Sequence, residues 1–198
     1  MYVNSVMSTK ALYCIRHGRA LHNKLFNTIG VNAYREFRDT SLLAEGKEQA
    51  KYLRQHWKEI DDVELVIASP CDRTLATATL IFHTTPIIAL DCLIEYPIGG
   101  TDICNRRMDR TELSILYPHV NFSQLVPNVM PWEGENETIE DLNIRIQQML
   151  HWLRWRPEKK IAIVGHSSFL GQFMNNEIGD EENELEHCHP YKINIEPT

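Results

Sequence analysis

The chain of 198 residues is 43% apolar and 24% charged, which suits one globular domain over residues 1–198. A chain of this size buries roughly 70% of its unfolded surface, so it needs neither disulfides nor a structural metal to fold. Twenty Lys and Arg against 27 Asp and Glu leave a net charge of -7, which excludes a general binder of nucleic acid or anionic membrane and makes any phosphate-recognising site a local basic patch.

Ala11-Leu-Tyr-Cys-Ile15 is a short apolar run that predicts a buried strand ending at Arg16-His17-Gly18. Residues 22 to 40 show no clean period. Ala50, Leu53, Trp57 and Ile60 recur at steps of three and four, predicting an amphipathic helix over 45–60. Leu65-Val-Ile-Ala68 is a second buried strand, after which Ser69 as N-cap and Pro70 at the first helical position predict a helix through Phe82. Pro86 to Leu90 is strand-like and leads to a loop around Gly99-Gly100 and a short helix over 109–117 that Pro118 ends. Thr138-Ile-Glu-Asp141 fits a capping box for a long helix with Ile139, Leu142, Ile146, Met149, Leu150 and Leu153 on one face, closed by Pro157. Lys160 to Val164 is another buried strand, and Gly165-His-Ser-Ser turns it into a further helix. Six acids between Glu177 and Glu186 predict a solvated loop before a last strand near 189–195. This alternation gives an α/β fold, a three-layer α/β/α sandwich with a mostly parallel central sheet.

No stretch approaches the ~20 apolar residues of a membrane span, and MYVNSVMSTK lacks a basic segment followed by an apolar one, so a cytoplasmic protein is expected. Cys14, Cys71, Cys92, Cys104 and Cys188 are odd in number and free of any C-x-x-C pair, which predicts reduced thiols rather than disulfides or a zinc site. His187-Cys188-His189 lacks further ligands, and its neighbours point to opposite faces of an extended chain, so no metal is expected there.

Three strands end in chemistry-bearing residues: Arg16-His17-Gly18, Ser69-Pro-Cys-Asp-Arg73 and Gly165-His166-Ser167. In an open parallel sheet such carboxyl ends converge on one crevice. Arg16, Arg73, His17 and His166 brought together make poor core material, because an unpaired buried charge costs several kcal/mol. They suit a compact anion. Phosphate fits, since guanidiniums bind its oxygens bidentately and the helix starting at Ser69-Pro70 adds a positive dipole end. A neutral imidazole could attack phosphorus while the remaining cations neutralise the equatorial oxygens, so neither a metal nor another cofactor is required.

R-H-G with Asn23 six residues beyond His17, S-P-x-x-R-T-x-x-T at 69–77, L-I-E at 93–95 and V-G-H-S-S at 164–168 together resemble the histidine phosphatase superfamily, the phosphoglycerate mutase-like fold, in its RHG phosphatase branch. The likeness spans about residues 11 to 194. It implies a histidine phosphatase of the acid/alkaline type with His17 as phospho-accepting nucleophile and Arg16, Arg73 and His166 as the phosphate clamp. Asn23 falls where relatives place a further phosphate donor, with a simple turn residue as the alternative. Glu95 falls at the proton donor, with Asp91 or Asp102 as the alternatives. Gly134-Glu135 matches the start of a G-E-S segment in relatives, with Asn136 in place of Ser.

Relatives often carry Glu or Gln after R-H-G. Here Arg19 stands there, so Arg16, Arg19 and Lys24 place three cations in nine residues and favour a polyanionic substrate. Arg106, Arg107 and Arg110 either bind a second anionic group or pair with local acids such as Asp102 and Asp109. The leading expectation is a hydrolase of phosphorylated small molecules, phosphoproteins remaining open, with no nucleic-acid or membrane partner. The alternatives are a mutase-type phosphotransferase, although Glu95-Tyr-Pro-Ile-Gly99 departs from the E-R-H-Y-G of glycolytic mutases, and a noncatalytic phospho-ligand or protein-binding module on the same fold.

Overall fold

Alternation along the strands decides the layers. On β1 (Lys10–Arg16), Tyr13 and Ile15 are buried in one apolar cluster and Leu12 and Cys14 in another, so the strand is covered on both faces. The same division holds on β2 (Leu65–Ala68), where Val66 and Ala68 oppose Leu65 and Ile67, and on β5 (Lys160–Gly165), where Ala162 and Val164 oppose Ile161 and Ile163. The computed structural model describes residues 9–97, 102–126, 137–179 and 183–196. The Gly99-Gly100 loop and Gly134-Glu135-Asn136 lie outside the described residues.

Among the described residues six strands form one sheet in the order β4-β3-β2-β5-β1-β6, with β3 (Ile87–Ala89) and β4 (Val120–Asn121) on one side and β6 (Pro190–Ile195) at the other edge. All pairings are parallel except β1 with β6. Helices α3 (Ala44–His56), α4 (Asp72–Ile81) and α5 (Arg110–Leu116) pack Ala50, Leu53, Leu75, Ala78, Ile81 and Leu113 on one face. Helices α6 (Ile139–Arg154) and α7 (Ser167–Asn175) pack Leu142, Met149, Leu153, Phe169 and Leu170 on the other. The predicted three-layer α/β/α sandwich is therefore the observed architecture. Among the described residues no helix is long and apolar enough to cross a membrane.

Several boundaries differ from expectation. Residues 22–40, read as aperiodic, contain α1 (Leu21–Ile29) and α2 (Asn32–Glu36), each burying a single residue, His22 and Ala33. Helix α3 stops at His56 because Trp57 turns extended, and Ile60 belongs to a separate 3-10 turn. Cys71, not Ser69, is the N-cap of α4. An Asp39 carboxylate oxygen accepts the Asp72 N–H at 2.9 Å, so one orphan donor of this helix start is met from a distant loop. Thr138 caps α6 in the predicted box with Asp141, although Ile139, counted with the apolar face, is exposed.

Register fixes the site. Arg16 lies opposite Gly165 and Ala68 opposite Val164, so β1, β2 and β5 end level with one another. One further ladder bond each, His17 N–H to Gly165 O and Ser69 N–H to Val164 O, both 3.0 Å, carries His17 and Ser69 to the same edge as His166.

Candidate active site

Gly18 lets the chain after β1 settle on the first turn of α3. A Cβ there would lie 2.4 Å from the Gly46 carbonyl oxygen, and one on Gly46 would lie 2.2 Å from that of Arg19. Only glycines allow this approach. Thr77 then ties the loop to α4, accepting the Gly18 N–H at 3.0 Å while donating to Arg73 O at 2.6 Å. Thr74 donates to both Ser69 O (2.8 Å) and Cys71 O (2.6 Å). Both threonines of the S-P-x-x-R-T-x-x-T segment thus shape the turn that aims Arg73.

His17 is buried, and its Nδ1–H donates to Gly18 O at 2.8 Å. The neutral ring therefore carries its lone pair on Nε2. Burial first, then the charges of Arg73 and other neighbours, hold its pKa well below the ordinary range, so the ring is unprotonated at neutral pH. The His166 ring centroid lies 5.3 Å from that of His17. Arg73 Nη2 donates to His166 Nδ1 at 3.2 Å, which leaves His166 Nε2–H to donate to Ser69 Oγ at 2.8 Å. Ser69, read from sequence as a helix cap, instead orients an imidazole.

Arg73 is completed by Cys104 O and Asn105 Oδ1, both 2.7 Å from its terminal nitrogens. Arg16 donates to Leu185 O at 2.7 Å and to the Glu184 carboxylate. Nε of Arg16, Nε of Arg73 and Oγ of Ser168 are buried with no hydrogen-bond partner among the described residues. Such donors are costly unless something meets them.

Glu95 sits at the start of α7, its carboxylate accepting the N–H groups of Tyr96 (2.8 Å), Phe169 (2.9 Å) and Ser168 (3.2 Å). Burial raises its pKa against the pull of those three bonds, and the Arg73 charge also reaches it. Arg145 fixes this segment by donating to Cys92 O and Ile94 O at 2.8 and 2.6 Å. Asp91 is committed elsewhere, accepting from Arg107 at 2.7 Å and from the Val126 N–H at 3.1 Å.

The structure thus brings together Arg16, His17, Arg73 and His166, with Glu95 next to His166 through the Ser168 and Phe169 bonds. Other candidates lie differently. Asn23 uses its Oδ1 on the Ala20 N–H (2.9 Å) as part of its own helix cap. Arg19 reaches outward to Glu45 at 3.0 Å, and Lys24 is exposed, so the three-cation cluster read from sequence is not gathered in one place. Arg107 is buried and spent on Asp91, Met108 O and Val126 O, which corrects its reading as a substrate ligand. Arg106 is half-buried on the same loop, and Asp109 caps α5. The positive end of α4, offered as a phosphate donor, faces Asp39.

Sequence reasoning passed over two histidines. The rings of His22 and His187 lie 5.7 and 5.6 Å from that of His17. His187 Nδ1–H donates to the His17 carbonyl at 2.6 Å, and burial lowers its pKa to about 4. The only sequence signal for His22 is an imidazole five residues past the R-H-G histidine, and His187 stands out in the sequence only through its neighbour pair with His189. His187 turns inward while His189 packs edge-on against Tyr191, so the two do not converge. Among the described residues no group of three or more His, Cys, Asp or Glu is placed to hold a metal ion.

Residues 12–195 match the family described as the histidine phosphatase superfamily (branch 1). A phosphoglycerate mutase-like protein 1 of Arabidopsis thaliana is 30% identical over 91% of this chain and 74% of its own length. Among solved structures, a phosphoglycerate mutase of Bacillus anthracis superposes with a TM-score of 0.60 at 16% identity, covering 96% of this chain and 90% of that one. A phosphoserine phosphatase of Entamoeba histolytica, solved with 3-phosphoglyceric acid, gives 0.58 at 19% identity over 92% and 94%. These two likenesses show the shared fold.

Proposed function

The chain belongs to the histidine phosphatase superfamily, and on that premise we propose that it hydrolyses small phosphomonoesters through a phosphohistidine on His17. One observation carries this reading: a buried, neutral imidazole with its Nε2 lone pair available lies among two buried guanidiniums whose Nε–H groups have no partner among the described residues. A tetrahedral dianion meets both needs at once.

In the first step His17 Nε2 attacks phosphorus in line, the P–O bond to the leaving group breaks, and Glu95 gives its proton to the departing oxygen. Burial raises the Glu95 pKa in the direction this requires. Arg16 and Arg73 balance the charge on the equatorial oxygens, and neutral His166 would donate its Nε2–H to one of them in place of Ser69 Oγ. In the second step water attacks phosphorus, Glu95 takes one of its protons, and the P–N bond breaks to return neutral His17 and inorganic phosphate. Arg106 is left to contact the rest of the substrate, Asn23 has only its side-chain N–H groups left for the phosphoryl group, and Arg19 and Arg107 are not needed. The names of the relatives, a phosphatase and a phosphoglycerate mutase, favour a small phosphorylated metabolite as substrate.

Phosphate release from a panel of alkyl and aryl monophosphates tests this directly. Wild type is expected to release phosphate and His17→Ala to release none. Glu95→Gln should slow alkyl esters far more than aryl esters, whose leaving groups need little protonation. Equal slowing of both would remove Glu95 as the acid, and transfer of the phosphoryl group to a second substrate molecule rather than water would identify a mutase.

A further inference from the structure

Arg16 meets its neighbours unevenly. Nη1 donates to Leu185 O at 2.7 Å, Nη2 is taken by the Glu184 carboxylate, and Nε has no partner among the described residues. Glu184 comes from the acidic run expected to be a solvated loop, 168 residues away in sequence. It uses one carboxylate oxygen, makes no other hydrogen bond among the described residues, and leaves 52% of its side chain exposed, against 4% for Arg16.

The other acids on buried arginines behave differently. Glu137 grips Arg145 with both oxygens at 2.6 and 2.7 Å and is itself fully buried at the side chain. Asp91 holds Arg107 with both oxygens and also the Val126 N–H. Neither acid can leave without stranding a buried charge. Glu184 differs in that water solvates its own charge once it rotates away, so an incoming anion has only the Arg16 guanidinium left to satisfy.

We propose that Glu184 is a specificity-determining residue, a carboxylate supplied by the chain itself that competes with the substrate's phosphoryl group for the Arg16 guanidinium. This rests on the reading of Arg16 as a phosphoryl ligand. A dianionic phosphoryl group can take Nε and Nη2 together and displaces a one-oxygen carboxylate, whereas a carboxylate or other monoanion of similar size gains little over Glu184. The residue thus sets a threshold that favours phosphoryl groups over the far more common carboxylates.

Inorganic phosphate titrated calorimetrically into wild type, Glu184→Gln, Arg16→Gln and the double variant tests the proposal, with Arg16→Lys as a second variant and circular dichroism to confirm folding. Glu184→Gln should bind phosphate roughly three- to tenfold more tightly, the effect of one partly screened charge. Acetate, a monoanion, should gain more than phosphate, and equal gains for the two would overturn the specificity role. Both gains should vanish when Arg16 is also replaced, which a merely structural change would not do. Unchanged or weaker phosphate binding in Glu184→Gln, or tightening that persists without Arg16, overturns the proposal while leaving the site intact. Wild-type phosphate affinity in both Arg16→Gln and Arg16→Lys would instead strike the phosphoryl-site reading itself, and the proposal with it.

Discussion

Arg107 and Arg145 are as deeply buried as Arg16 and Arg73, yet the two pairs are held in opposite ways. Each of the first pair meets a two-oxygen carboxylate and backbone carbonyls, Asp91 for Arg107 and Glu137 for Arg145. Among the described residues each of the second pair keeps a buried Nε with no partner, beside a histidine whose Nε2 makes no hydrogen bond. Burial of a guanidinium says little about its task. The pattern of satisfied donors separates a strut from a ligand site, because a folded chain rarely leaves a charged donor unmet unless something else arrives to meet it.

Removing one strut should have the largest effect on the fold. Arg145→Met should strand the Glu137 carboxylate and release the carbonyls of Cys92 and Ile94, costing about 3–5 kcal/mol in urea unfolding. A loss below about 1 kcal/mol would mean that Arg145 is no strut. Arg73→Gln should do the reverse: kcat/KM falls by about 10²–10³, while the unfolding free energy changes by less than that of Arg145→Met. A variant that unfolds as readily as Arg145→Met but keeps its activity would merge the two classes.

Acids can be sorted in the same manner, since Asp39 and Glu95 each occupy the start of a helix. Asp39 is buried against the N–H groups of Asp72 and Met108, and burial raises its pKa to about 6. The folded state therefore holds this proton more tightly than the unfolded chain. Its contribution to stability is full below about pH 4 and is lost as pH rises through 6. The stability of wild type relative to Asp39→Asn should decline by about 2 kcal/mol between pH 4 and pH 7 in urea titrations. A difference that stays flat with pH would show that Asp39 does not titrate in this window.

The strands and the strand-end residues were legible because both rest on local pattern. Apolar runs at 11–15, 65–68 and 161–164 are continuous, and His17, Arg73 and His166 follow within a few residues of their ends. The helices between Leu21 and Glu36 were not legible, since each buries a single side chain and owes its place to tertiary bonds such as Leu21 N–H to Ser41 O. The partners of the charged groups were equally hidden. Arg16 with Glu184, Asp72 with Asp39 and Arg107 with Asp91 are pairings across 168, 33 and 16 residues. No periodicity records them. For the same reason, the basic group at 106–110 read as a second anion site when one of its members was already paired.

The proposed chemistry turns on His17 as the carrier of the phosphoryl group. The most direct measurement uses Glu95→Gln turning over an aryl phosphate, quenched in alkali within the burst and mapped by mass spectrometry, because slow dephosphorylation should let the intermediate accumulate. The phosphoryl group should appear on His17 in nearly stoichiometric amount and be missing from His17→Ala. A phosphoryl group on any other residue, or turnover with no enzyme-bound phosphate at all, would contradict the account.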